Sequence, residues 1–176
     1  MHHALAMKKH FMMFAAYNRW ANARIYDAAA ELSDEDYRRD VGAFFRSMHG
    51  TLNHLLAADR IWMKRFTGQG ETPNSLDAIL FGDFARLRTA REAEDLRIGE
   101  FIGSLDEAAL DGRFTYMTVS DYRTISQRLA PALDHLFNHQ THHRGQAHTI
   151  LTSLGQASVQ LDLIAFQRTE EGRLYA

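Results

Sequence analysis

The sequence contains no cysteine and only two prolines, and both features limit the structures and functions that the chain can have. Without cysteine the chain can form no disulfide, and side chains can offer a metal ion only nitrogen or oxygen ligands. Any thiol chemistry would need a thiol from outside the chain. Because the only prolines are Pro73 and Pro131, long helices are permitted almost everywhere.

Long apolar runs and an excess of one charge are also missing. No stretch approaches the roughly 18 to 20 apolar residues that a membrane-spanning helix requires. The formal net charge of −2 gives no basic excess to attract nucleic acid or an anionic membrane. No small-residue cleavage site of a signal peptide stands out near the start. We therefore expect a cytoplasmic protein with a small-molecule substrate and neither a membrane nor a nucleic acid as partner.

The apolar residues recur at helical spacing in four long segments. These predict helices over about 10–31, 43–66, 84–104 and 131–154, the last beginning at Pro131 and ending at Gly155. The third has a thin apolar stripe among many charges, which predicts a position on the outside of a helical bundle. With 176 residues, 45% of them hydrophobic, and no repeat or linker, residues 1–176 are predicted to form one all-α domain.

Three shorter features complete the predicted fold. Ser33 followed by Asp36 is typical of the cap of a short helical turn. Residues 113–124 are rich in β-branched and aromatic types, which favours a small hairpin or an extended loop before the fourth helix. A short extra helix is predicted near residues 161–169.

Histidine is abundant, with ten residues in the chain, and two of them have the spacing of metal ligands. His139 and His143 are four residues apart on the predicted fourth helix, so they differ by about 40° in direction and lie one turn apart. A third ligand from another helix would complete a site in the bundle core. His54 and His49 on the second helix point away from each other; we choose His54, because Leu52 and Leu55 flank it.

Alternatives to a metal site remain open at this point. A pair spaced as His139 and His143 also occurs on solvated helix faces and among hydrogen-bonded core histidines. A zinc-protease helix is excluded because Gln140, not glutamate, follows His139. The fourth helix has no Glu-x-x-His pair for a di-iron site, and c-type haem attachment requires cysteine. His135 could support the ligands or only line the same groove.

Three neutral imidazoles would leave a divalent ion with its full charge and an open coordination position. Such an ion could activate water or deprotonate a thiol. Arg144 would suit an anionic substrate or the carboxylate of a thiol cofactor, although a salt bridge at the helix end is an alternative role. Imidazole serves zinc, nickel, iron and copper alike, so the ligands do not identify the metal.

Three segments resemble the DinB family of damage-inducible bacterial proteins, which is related to the YfiT-like metal-dependent transferases. They are YNRWAN (17–22), TLNHLLAADRIW (51–62) and HLFNHQTHHRGQ (135–146). The resemblance implies an antiparallel four-helix bundle with up-down-down-up topology, often dimeric, with a three-histidine site for nickel or zinc. The TLNH histidine corresponds to His54 and the NHxxxH pair to His139 and His143.

The resemblance also implies a class of reaction. Relatives transfer or isomerise substrates with low-molecular-weight thiols, which suggests a metal-dependent thiol S-transferase or isomerase. A metal-dependent hydrolase and a non-catalytic stress-response protein that binds a metal or small ligand are the alternatives.

Overall fold

A computed structural model describes residues 2–118 and 121–175, with side chains from residue 7 onward. The described part is predominantly helical. Its helices are α1 (His2–Ala30), α2 (Asp34–Arg38), α3 (Met48–Thr67), α4 (Phe84–Ser104), α5 (Glu107–Asp111), α6 (Leu129–Ser153) and α7 (Leu163–Gln167), with a 3-10 turn at Gly172–Leu174. Among the described residues, none of these helices is long and apolar enough to cross a membrane.

The segment predicted as a hairpin or loop is a hairpin. Strands β1 (Arg113–Met117) and β2 (Thr124–Arg128) pair antiparallel, with Tyr116 opposite Ile125. Residues 119–120 of the predicted segment lie outside the described residues. Because side chains alternate along a strand, Phe114 and Tyr116 share one face, where their rings stack 5.3 Å apart. This face packs towards α3, with Tyr116 against Trp62.

Helix ends follow the local capping chemistry. The Ser33 hydroxyl accepts a hydrogen bond from the Asp36 backbone, which confirms the predicted cap of α2. Helix α4 has the predicted bounds, whereas the predicted start of the second helix near Ala43 is wrong. Ser47 caps α3 by accepting from the Gly50 amide, and the preceding residues form a tight turn with Arg46 at φ 67°.

The four long helices pack against one another along their lengths. Helix α1 contacts α4 and α6, and α3 contacts the same two helices. Helix α1 runs opposite to α4, α3 runs opposite to α6, and α3 and α4 run in the same direction. The direction of α1 relative to α4 follows from the contacts Lys8–Gly103 and Asp27–Arg88. That of α3 relative to α6 follows from Trp62–His135 and His54–His143. That of α3 relative to α4 follows from Asp59–Arg91 and Thr67–Arg97.

A small apolar cluster joins Ala21 of α1 to Phe166 of α7, and the two larger clusters of the core are separated by a buried polar layer. One cluster contains Leu52 and Leu151, and the other contains Phe11 and Leu133. On each long helix, polar residues fall between the two apolar groups. This polar layer consists of Asn18, Asn22, Asp59, Arg91, Asp95, Gln140 and Arg144, all almost fully buried.

The polar layer explains why α4 has a thin apolar stripe. Arg91 of α4 forms ion pairs with Asp59 at 2.7 Å and with Asp95 at 3.0 Å, and all three side chains are buried. The amides of Asn18 and Asn22 donate hydrogen bonds to Asp95. The expected position of this helix on the outside of the bundle is therefore wrong. Its inner face is buried, but part of that face is charged.

Candidate metal centre

The three histidines singled out in the sequence meet between α3 and α6. The Nε2 atom of His54 lies 3.3 Å from that of His139 and 3.2 Å from that of His143. Their potential ligand atoms all lie within 4.8 Å of one another. With zinc–nitrogen bonds of about 2.0–2.1 Å, two nitrogens on one tetrahedral ion are roughly 3.3 Å apart. The three rings are therefore spaced to hold one ion.

Outer hydrogen bonds set which ring nitrogens face inward. The Nδ1 of His54 lies 2.7 Å from the Leu76 carbonyl oxygen, which can only accept, so this nitrogen carries the hydrogen. The Nδ1 of His143 lies 2.7 Å from Oε1 of Gln146, which also accepts. Both rings therefore direct an Nε2 lone pair towards the other. Two lone pairs 3.2 Å apart repel each other unless a cation lies between them, which fits a metal ion.

A proton is a poor candidate for that cation. Burial lowers the pKa of His54 to about 4. Burial, together with the neighbouring His143 and His54, lowers the pKa of His139 to about 3. Burial also lowers the pKa of His143. All three rings are therefore neutral near pH 7, the form in which imidazole binds metal.

The turn before α3 covers one side of the site. Phe45 stacks on the His54 ring with centroids 3.8 Å apart and planes 17° apart. Its ring also meets the edge of His143 at 5.5 Å. Gly50 permits this arrangement, because a Cβ atom there would lie 2.1 Å from the Phe45 carbonyl oxygen. The turn therefore places an aromatic ring against a candidate ligand and shields it from water.

A cavity of about 490 Å³ opens beside His139. Helices α3 and α6, strand β1 and residues 74–76 supply its walls. His135 lines this cavity, with its ring 5.8 Å from that of His139 and 4.9 Å from that of Trp62. Of the two roles open for His135, lining the groove is the one that the structure shows. The site is thus covered at His54 and accessible at His139.

Arg144 lies away from this cavity. The residue is 2% exposed, and its guanidinium donates hydrogen bonds to the side-chain oxygens of Asn18 and Asn22 within the polar layer. Neither of the two roles predicted for Arg144, binding an anionic ligand near the histidines or forming a salt bridge at the helix end, agrees with this position. Arg144 instead links α6 to α1, and the arginine that lines the cavity is Arg65.

The other histidines of these helices lie outside the cluster. The Nε2 of His49 lies 3.1 Å from the Phe81 carbonyl oxygen, and that of His148 lies 3.0 Å from the Ser158 hydroxyl. His142 contacts the Gln146 amide nitrogen at 3.3 Å. Each of these three histidines therefore has a hydrogen-bond contact of its own outside the cluster.

Two partners of the ligands escape prediction from sequence. The Leu76 carbonyl belongs to a loop and acts through its backbone, so its residue type carries no signal. Phe45 fits the apolar periodicity of the second helix and was assigned to it, whereas it lies in the turn before Ser47. Gln146 lies three residues after His143 on α6, and its side chain contacts the His143 ring.

The depressed pKa values predict that the metal-free protein loses stability on acidification. The unfolded state binds protons at these histidines below about pH 6.5, whereas the folded state resists protonation down to about pH 4 at His54 and pH 3 at His139. The free energy of unfolding should therefore fall as pH decreases from 6.5 to 4. Urea titrations of chelator-treated protein at several pH values measure this dependence.

His139→Leu should make the free energy of unfolding depend less steeply on pH, by an amount that corresponds to up to about one proton fewer taken up on unfolding. The matched control is His148→Ala, which removes a histidine of the same helix that lies outside the cluster. Asp59, whose pKa burial raises to about 6, titrates with the opposite sign, so the comparison with His139→Leu isolates the histidine contribution. An equal slope in His139→Leu and wild type would contradict the lowered pKa of this ring.

Comparison with known proteins places these features in a family. Residues 7–174 match the model described as the DinB family. The chain is also 28% identical over 153 residues to "Protein DinB" of Bacillus subtilis (strain 168), which covers 83% of this chain and 87% of that protein. The family match includes residues of all four long helices and the positions of all three histidines. This chain is a member of the DinB family.

Proposed function

We propose that the protein binds one divalent ion, nickel or zinc, at His54, His139 and His143 and uses it for S-transfer to, or isomerisation of, a small-molecule substrate with a low-molecular-weight thiol. The observation that carries this proposal is the inward direction of the Nε2 lone pairs of His54 and His143, beside a cavity at His139. A closed structural site usually has four protein ligands, whereas three leave a position for a reactant.

Each residue around the site has a defined part in this proposal. The three imidazoles hold the ion without neutralising its charge, and the ion supplies Lewis acidity that favours the deprotonated form of a thiol. The Leu76 carbonyl and Gln146 keep two of the rings in the ligating tautomer. Phe45 excludes water on the covered side, and the cavity admits the thiol and substrate on the other.

The finer architecture is part of the same proposal. The helix directions given above support an up-down-down-up four-helix bundle with the short helix α7 added. We also propose a cytoplasmic homodimer without a nucleic acid partner. The absence of cysteine is consistent with an external thiol, since the chain supplies none of its own. Light scattering on the purified protein tests the dimer.

The function is tested by following consumption of a model electrophile such as 1-chloro-2,4-dinitrobenzene by zinc- or nickel-loaded protein. A panel of low-molecular-weight thiols is added in turn. Thiol-dependent consumption that is lost in His139→Ala and kept in His148→Ala would support the transferase. Turnover of an activated ester without any thiol would favour a hydrolase. If neither reaction occurs although metal is bound, the protein is a metal or ligand carrier.

A further inference from the structure

The cavity beside His139 extends along α3 to Arg65. Ala58, Ile61, Trp62 and Arg65 all line it and recur on one helix face at spacings of three or four. His54 lies on the same face, one turn before Ala58. The cavity therefore runs along α3 from His139, the member of the three-histidine cluster that lines it, to the guanidinium of Arg65.

The Arg65 guanidinium packs against two neighbouring aromatic rings, Trp62 and Tyr116, whose centroids are 5.6 Å apart and whose planes are 62° apart. Its central carbon lies 4.5 Å from the centroid of Trp62 and 4.5 Å from that of Tyr116. Such cation–π contacts use none of the N–H donors of the planar group, and these donors can bind a carboxylate in a bidentate manner. Trp62 and Tyr116 therefore orient the guanidinium without satisfying its hydrogen-bonding capacity.

Arg65 has no anionic partner within the described part of the chain. None of the ion pairs among the described residues involves Arg65, and its buried Nε atom has no hydrogen-bond partner among those residues. The described residues that line the cavity include no aspartate or glutamate. Burial lowers the pKa of Arg65, which shows the cost of keeping this charge partly away from water. An anion bound to its N–H donors would offset that cost.

The distance between the two ends defines the length of a ligand. Helical side chains lean towards the N-terminus, which brings the Arg65 guanidinium over Trp62, and Trp62 lies against His135. His135 is one turn from His139. The guanidinium is therefore one to two turns from the histidines, roughly 6–11 Å.

We propose that Arg65, packed against Trp62 and Tyr116, binds the carboxylate of an elongated substrate or thiol whose other end lies at the three histidines. This assignment deepens the proposed function and rests on it for the identity of the second end. The walls between the two ends are largely apolar, with Ala58 and Ile61 on one side, so the part of the ligand between them is expected to be apolar.

The probe for this site is hexanoate, compared with the neutral, equally shaped hexanamide. The chain has two tryptophans, so in a Trp20→Phe background Trp62 is the only one and reports binding beside Arg65 by its fluorescence. Hexanoate should bind roughly 10- to 100-fold more tightly than hexanamide, as expected for a charge-assisted pair. Arg65→Met should abolish this preference, and Arg65→Lys should retain part of it.

Arg60→Met is the matched control, because Arg60 lies on the same helix over the ring of Phe81, outside the cavity. It should keep the full preference for hexanoate. Equal binding of the two probes by the wild-type protein, or an unchanged preference in both methionine and lysine variants at position 65, would overturn the assignment. The titration is run on metal-free and metal-loaded protein. If the wild-type protein preferred hexanoate but bound no metal after reconstitution, the carboxylate site at Arg65 would be supported and the proposed function refuted.

Discussion

Replacing His139 with alanine is expected to remove the metal ion from the protein. After reconstitution with zinc or nickel and removal of excess metal, the wild-type chain should retain about one ion, and His139→Ala close to none. The reason is that only His54 and His143 would remain on the ion, within a site that has no carboxylate in reach among the described residues. Loss of a residue that hydrogen-bonds to a ligand lowers metal affinity by about 10- to 100-fold, and loss of a ligand itself should lower it further. Elemental mass spectrometry on untagged protein measures the metal content.

His148→Ala is the control for this measurement, because His148 lies on the same helix but contacts Ser158 instead of the cluster. It should retain the ion, while His54→Ala and His143→Ala should lose it. Circular dichroism of each variant establishes that the helices remain. Full metal content in a folded His139→Ala variant, or none in the reconstituted wild type, would show that the three-histidine site is wrong and would remove the basis of the proposed function.

The sequence predicts this cluster well because its members are side chains on regular helices. A spacing of four residues places His139 and His143 on one face of a helix wherever that helix lies in the fold. The choice of His54 over His49 depended on its apolar neighbours, and the structure places His54 at the cluster and His49 against Phe81. Both inferences depend on helical periodicity and on the neighbouring residue types, which do not require knowledge of how the helices pack.

The surroundings of the cluster could not be predicted in the same way. The Leu76 carbonyl reaches His54 from a loop 22 residues further along the chain, and only the folded path of that loop brings them together. In the sequence Arg65 looks like an ordinary exposed arginine, and only the folded chain brings Tyr116 of β1 against its guanidinium. Contacts between distant segments determine these features, and a single sequence carries little information about them.

The polar layer shows the same limit within the helices themselves. Asp59, Arg91 and Asp95 look like surface charges in the sequence, because charged residues are almost never fully buried unless they are paired. Their pairing partners lie on different helices or a turn apart, at 2.7 and 3.0 Å from Arg91. Reading α4 from its apolar residues alone therefore underestimates how much of it is buried.

Replacing Asp59 with alanine should lower the free energy of unfolding by about 3–5 kcal/mol, because it removes one partner of a buried ion pair. Arg91 would keep Asp95, but it would lose the carboxylate 2.7 Å away in a site where both side chains are at most 2% exposed. The layer sits between two apolar clusters, so water cannot easily replace the missing partner. Urea unfolding at pH 8, where the Asp59 carboxyl is ionised, measures the difference.

The control is Asp34→Ala, which removes a carboxylate paired with Arg38 at 2.9 Å on the surface, where the Asp34 side chain is 79% exposed. Exposed pairs contribute about 0–1 kcal/mol, so this variant should unfold almost as the wild type does. If Asp59→Ala were no more destabilised than Asp34→Ala, Arg91 would have found another partner. The layer would then be a loosely solvated region, and its ion pairs could not hold α3 against α4 beneath the three histidines.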